Sequence, residues 1–283
     1  MVILIPAYQP DHRLPALVSA LLDARPGTAV IVVDDGSGPS RAPHFVAARA
    51  AGAAVIGHPD NRGKGYALRA GFQLADLAYP GHDVVCADAD GQHRVEDILA
   101  VAARVDATGR IVLGVRRFTG RVPLRSRFGN AVTRLLFTLA SGQSIWDTQT
   151  GLRGYPATVL TWLDSIPGDG FDYETRTLLA VVEAGLTLEP LDIATVYLDG
   201  NASSHFRPVA DSVRVCRALA RVRAGPRAGP PFAVHGGIDS RPCARRALEW
   251  RTRGGSSCCA SCSHRMTSRA HASRPSPTRC GSS

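Results

Sequence analysis

Short apolar runs alternate along the first part of the chain with stretches whose apolar side chains recur every three or four positions. Val2 to Ile5 is an apolar run closed by Pro6-Ala7-Tyr8-Gln9-Pro10. Leu14, Leu17, Val18, Leu21 and Leu22 follow the i, i+3, i+4, i+7, i+8 spacing of an amphipathic helix, which the pattern ends near Pro26-Gly27. Ala29 to Val33 reads as a second strand, with Asp34-Asp35-Gly36-Ser37-Gly38 at its carboxyl end. A further helix-then-strand unit ends at Val55-Ile56-Gly57, and Asn61-Arg62-Gly63-Lys64-Gly65 opens the next helix. Val84 to Ala87 and Ile111 to Val115 are the fourth and fifth strands, and a helix begins at Asp172-Tyr173-Glu174. Strands alternating with helices in this way predict an α/β fold, a mostly parallel sheet with helices on both faces.

In such a sheet ligands bind outside the carboxyl ends of the strands. Polar clusters fall at three of those ends: Pro6 to Gln9, Asp34 to Ser37, and Asp88 to Gln92. In the last, Asp88 and Asp90 are spaced i, i+2 and Gln92 adds a carboxamide. Two carboxylates and a neutral oxygen suit a hard divalent cation, Mg²⁺ or Mn²⁺, although a strand followed by a polar turn has the same letters. Gly63-Lys64-Gly65 brings the only lysine of the chain and a helix start to this rim, a cradle for an anion. Neither a Gly-x-x-x-x-Gly-Lys-Ser/Thr loop nor a Gly-x-Gly-x-x-Gly after the first strand is present, which disfavours P-loop and dinucleotide-binding chemistry.

Charge changes the picture only when divided along the chain. The net charge is +9, but 10 of the 33 basic residues and only 2 of the 24 acidic ones lie in residues 225–283. Residues 1–224 therefore hold 23 basic against 22 acidic groups, which gives no support to nucleic-acid binding. Five of the seven cysteines also lie after residue 225. The two that remain, Cys86 and Cys216, do not make a disulfide framework, and Cys258, Cys259, Cys262 and His264 lack a second ligand pair at zinc-finger spacing. The composition separates a body at 1–224 from an Arg- and Ser-rich tail at 225–283, too poor in large apolar groups to repay ordering and expected to be disordered. Two readings of the tail stay open: an out-of-frame translation, which an intact reading frame at the locus would exclude, or a basic tether to a membrane. The amino-terminal residues show no basic flank or cleavage site, and no run approaches the length of a membrane span, so a cytoplasmic protein is expected.

Seven motifs in order carry a resemblance to a known family. They are Ile5-Pro6-Ala7-Tyr8, Val32-Val33-Asp34-Asp35-Gly36-Ser37, Asn61-Arg62-Gly63-Lys64-Gly65, Asp88-Ala89-Asp90-Gly91-Gln92-His93, Gly114-Val115-Arg116, Asp147-Thr148-Gln149-Thr150-Gly151-Leu152-Arg153, and Ser203-Ser204-His205-Phe206-Arg207-Pro208. Over residues 1 to about 220 the chain resembles the family 2 glycosyltransferases, and more closely the dolichyl-phosphate mannosyltransferase-like branch that moves a sugar onto a polyprenyl phosphate.

The resemblance implies a GT-A fold and an inverting, metal-dependent transfer from a UDP- or GDP-linked sugar. It implies that Pro6, Tyr8 and Asp34 or Asp35 hold the nucleoside, and that Asp88, Asp90 and Gln92 bind Mg²⁺ or Mn²⁺ against the donor diphosphate. Lys64, Arg116 and Arg125 would meet phosphate groups, Asp147 and Arg153 would flank the reaction centre, and His205 and Arg207 would stand near the acceptor phosphate. Guanidinium forks suit phosphate oxygens bidentately, and an acceptor that is already an anion needs little general base, so Asp147 is expected to position more than to accept a proton. Glu174 reads equally well as an acidic residue favoured by a helix start. A lipid acceptor implies peripheral contact with the inner face of the cell membrane, with a separate membrane-spanning partner as a further expectation. The alternatives are a glycosyltransferase with a different acceptor, a nucleotidyltransferase, which would want a Gly-rich basic loop after the first strand, and an inactive nucleotide-sugar binding protein.

Overall fold

In the computed structural model, which describes residues 1–116 and 150–194, the apolar runs become strands of one sheet. The strands are β1 (Val2–Ala7), β2 (Ala29–Asp35), β3 (Ala54–His58), β4 (Val84–Cys86), β5 (Ile111–Arg116), β6 (Arg153–Tyr155) and β7 (Leu188–Ile193). The helices are α1 (Arg13–Ala24), α2 (Ala42–Ala50), α3 (Lys64–Ala78), α4 (Val95–Thr108), α5 (Leu160–Ser165) and α6 (Asp172–Glu183). The sheet order is β3-β2-β1-β4-β6-β5-β7. All neighbours pair in parallel except β6, which is antiparallel to both β4 and β5.

Alternation along the strands divides the core in two. Ile3, Ile5 and Ala7 of β1 and Val30 and Val32 of β2 pack with Leu14, Val18 and Leu21 of α1, Phe45 of α2 and Ile98 and Val101 of α4. Val2 and Leu4, with Ile31 and Val33, point the other way onto Leu68 and Phe72 of α3, Leu160 and Leu163 of α5 and Tyr173 of α6. Successive side chains of a strand face opposite sides, so a run that is apolar at every position is what a sheet covered twice requires.

Where described, the expected strands and helices form, with β4 ending at Cys86, helices α4 and α5 in addition, and further differences in the strands. The first strand continues through Pro6 and Ala7, and the second takes in Asp34 and Asp35. β6 was not expected: three residues headed by an arginine carry no period. Nor was β7, whose Glu189, Pro190 and Asp192 interrupt any apolar run; as an edge strand it tolerates a proline that a central strand would not. The expected boundary at residue 224 lies outside the described residues.

Helix α3 lies close on β1 because Gly71 faces Leu4, and a Cβ there would run into the fully buried Leu4 side chain. Gly71→Ala is therefore expected to lower the unfolding free energy by about 1–3 kcal/mol, the usual cost of overpacking a full core. Urea unfolding of the variant beside the parent measures this, and an unchanged midpoint would mean that the two elements separate freely.

Candidate active site

The carboxyl ends of β1, β2 and β4 and the start of the reversed strand β6 meet at one edge of the sheet. Pro6 is buried inside β1, and Tyr8 follows it half-buried at the rim. At the end of β2 the two neighbouring aspartates face different surroundings. Asp34 Oδ1 accepts the Ser37 amide at 2.9 Å, and Ser37 Oγ accepts the Gln9 amide at 2.8 Å, which stitches the ends of β1 and β2 together.

Asp35 is buried, and its carboxylate accepts the amides of Arg62 at 2.8 Å and Gly63 at 2.9 Å. Burial pushes the Asp35 carboxyl above its ordinary range, and the two amides oppose that push. Gly63 has φ +101°, and a Cβ on it would strike the carbonyl of Asp169. That carbonyl accepts the Tyr66 amide at 3.1 Å. The Arg62 and Gly63 amides just ahead of α3 and the Tyr66 amide in its first turn are thus taken by Asp35 and Asp169, and the Lys64 side chain of the same helix start reaches the rim.

Lys64 Nζ lies 2.7 Å from Asp88 Oδ1 and 3.0 Å from Glu174 Oε2. Burial alone would pull the ammonium down, but the two carboxylates outweigh it and hold Lys64 well above its ordinary range. Burial likewise works against the Asp88 carboxylate, and the Lys64 ammonium reverses it, so that Asp88 stays ionised far below the ordinary carboxylate range. His93 Nε2 stands 3.5 Å from Asp88 Oδ2, its side chain buried and neither ring nitrogen hydrogen-bonded. Gly151 lies against the same carboxylate, where any Cβ would collide with it.

Arg153 opens β6 opposite Cys86 and is 1% exposed. Its Nε donates to the Thr150 carbonyl at 2.9 Å and its Nη1 to the Glu174 carbonyl at 2.7 Å, with Glu174 Oε1 at 3.8 Å. The guanidinium lies beneath the rim. Glu174 therefore joins two cations of the site, a role that its place at a helix start concealed in the sequence, where the dipole explains an acidic residue equally well.

Asp90 Oδ1 accepts the Gln92 amide at 3.0 Å, and the Asp90 carbonyl accepts Arg13 Nη1 at 3.3 Å. Burial, and then the charge of Asp88, raise the Asp90 carboxyl above its ordinary range. The Gln92 amide and the charges of His93 and Lys64 oppose that push only in part. Together with the oxygens of Asp88 and Gln92 the Asp90 carboxylate makes an all-oxygen donor set, which fits a hard divalent cation. Among the described residues no group of three His, Cys, Asp or Glu gathers as a metal cluster, so any cation here would rest on two carboxylates and a carboxamide. Arg116 ends β5, half-buried, at the same edge. Arg125, Asp147, His205 and Arg207 lie outside the described residues.

A parallel sheet with one reversed strand and an aspartate pair at its carboxyl edge is a GT-A fold. Residues 2–160 match the model of glycosyl transferase family 2, and the chain belongs to that family. It is a glycosyltransferase. It is 29% identical over 203 residues to an undecaprenyl-phosphate mannosyltransferase of Micrococcus luteus, an alignment covering 68% of this chain and 82% of the relative. To a polyprenol monophosphomannose synthase of Mycolicibacterium smegmatis it is 26% identical over 205 residues, covering 68% and 75%. Among solved structures, glucosyl-3-phosphoglycerate synthase from Mycobacterium tuberculosis, in complex with Mn²⁺, uridine-diphosphate-glucose and phosphoglyceric acid, superposes with a TM-score of 0.59. There the identity is 19% and 80% of each chain is covered, a likeness of fold.

Because the Asp35 carboxylate closes the start of α3, Asp35→Ala is expected to cost about 1–3 kcal/mol of stability, the range for losing a cap and leaving buried amides unpaired. Asp34→Ala should cost less, since Asp34 is only half-buried and accepts a single amide, that of Ser37. Thermal unfolding of the two variants gives the comparison, and an equal loss would remove the distinction between them.

Proposed function

We propose that the protein transfers a sugar from a nucleoside-diphosphate sugar to a polyprenyl phosphate at a membrane surface, with a divalent cation. The single observation that carries the reading is the half-buried aspartate pair, Asp88 and Asp90, at the carboxyl edge of a family 2 sheet. The acceptor class rests on the two relatives named for polyprenyl substrates. A solved enzyme of similar fold, the glucosyl-3-phosphoglycerate synthase above, was crystallised with Mn²⁺ and uridine-diphosphate-glucose.

Asp88, Asp90 and Gln92 would hold Mg²⁺ or Mn²⁺, which when bound neutralises charge on the departing diphosphate. Tyr8 and Asp34 stand where β1 and β2 end and would orient the nucleoside, while Asp35 acts through the α3 start that it anchors. Lys64 places an ammonium beside Asp88, within the region that a diphosphate would share. Arg116, at the end of β5, would meet phosphate oxygens bidentately. Arg153 keeps the carboxyl edge in shape from below. Arg125, Asp147, His205 and Arg207, by their place in the family motifs, would position the acceptor.

The chemistry is a single displacement. An oxygen of the acceptor phosphate forms a bond to the anomeric carbon as the bond to the nucleoside diphosphate breaks, and the leaving group departs with the electron pair, inverting the configuration. The acceptor oxygen is already anionic, so positioning and charge stabilisation dominate over proton transfer. No described helix is long and apolar enough to cross a membrane. A lipid acceptor calls for peripheral contact with the membrane or for a separate membrane-spanning partner.

The test is transfer of radiolabelled sugar from UDP- and GDP-linked donors into organic-extractable polyprenyl phosphate, with Mn²⁺ or with chelator, and with 3-phosphoglycerate as a competing soluble acceptor. Metal-dependent label in the lipid phase is expected, and Asp90→Ala should lower its rate by about a hundredfold or more, as for loss of a metal ligand that stabilises transition-state charge. Label that stays in the aqueous phase on the soluble acceptor would overturn the lipid reading.

A further inference from the structure

Four side chains under the rim form a ladder of alternating sign: Asp88, Lys64, Glu174 and Arg153. Its two carboxylates and two cations balance, and Asp90 stands outside that balance. The ammonium of Lys64 is shared, 2.7 Å from Asp88 Oδ1 and 3.0 Å from Glu174 Oε2. Glu174 cannot follow Lys64 freely, because its backbone carbonyl receives Arg153 Nη1 at 2.7 Å and Arg153 is itself tied to the Thr150 carbonyl.

The same carboxylate of Asp88 thus has two claimants, an internal ammonium and any divalent cation that the aspartate pair binds. We propose that Lys64 is a resident competitor for Asp88, and that Glu174 is the positioning residue that shares this ammonium and so sets how strongly it competes. The proposal rests on the metal reading above. An ammonium is a compact charge on a flexible stem, able to shift between two carboxylates about 3 Å away without breaking the fold. With Glu174 neutral, the full charge of Lys64 falls to Asp88, and a cation arriving there meets an unshared rival. With Lys64 absent, Glu174 has no competitor to restrain.

The test is Mn²⁺ alone, titrated by electron paramagnetic resonance into the full chain without nucleotide. The parent is compared with Lys64→Met, Glu174→Gln and the double variant, and a thermal melt of each verifies folding. Lys64→Met is expected to tighten Mn²⁺ binding about tenfold, and Glu174→Gln to weaken it about tenfold, a scale set by one charge at short range. In the Lys64→Met background, Glu174→Gln should change binding by less than about twofold, because the effect passes through the ammonium. Lys64→Met without effect on Mn²⁺ overturns the proposal, and so does a Glu174→Gln loss of the same size in both backgrounds, which would make Glu174 a distant charge. If Glu174→Gln does not fold, Glu174→Asp takes its place, since it keeps the charge but withdraws it from Lys64 and should also weaken binding only where Lys64 is present. If neither the parent nor Lys64→Met binds Mn²⁺, the metal reading itself fails, a result distinct from the others because no titration then responds.

Discussion

Lys64 puts an ammonium where an unpaired charge could not remain. Removing an ion from water costs several kcal/mol, repaid only by well-placed partners of opposite sign. Here the partners come from the turn after β4 and from α6, and Lys64 comes from the start of α3. Three segments far apart in sequence are therefore fixed against one another by a single group. Breaking such a pair is costly because it strands a charge, so the arrangement specifies the site's geometry more than it adds to stability.

The glycines around this group answer to the same constraint. Gly63 leaves room for the Asp169 carbonyl, Gly65 stands against Tyr173, and Gly151 against the Asp88 carboxylate. Arg69 reinforces the approach: it donates to the carbonyls of Ile166 and Gly168 and to the Asp169 carboxylate, so the loop ahead of α6 is clamped to α3. A larger residue at any of these glycines would push the loop and the helix start apart, and the ion ladder would lose its spacing.

Much of this was legible in the sequence because a doubly covered parallel sheet leaves few choices. Apolar runs at every position mark the strands, and their carboxyl ends must share an edge, so Asp34, Asp88 and Asp90 could be gathered without coordinates. What each carboxylate touches was not legible. Asp34 and Asp35 are adjacent letters, yet one bonds a turn and the other a helix start, a difference made by which side of β2 each residue faces. β6 escaped because Arg153-Gly154-Tyr155 is too short to show a period, and a nearly unexposed arginine is an unusual sign of a strand. Glu174 escaped because the dipole at a helix start accounts for it with no reference to Lys64.

The reversal of β6 has a consequence for which residues reach one edge. β5 ends at Arg116 and β6 begins at Arg153, and because β6 runs backwards both points lie on the edge that carries the aspartates. Had β6 been parallel, the return would have required a crossover to the opposite edge, of a length dictated by the sheet. As it stands, strand direction alone sets Arg116 and Arg153 beside each other's strand ends, with no such crossover between β5 and β6. The fold thereby delivers two arginines distant in sequence to the edge that carries the aspartates through the polarity of one short strand.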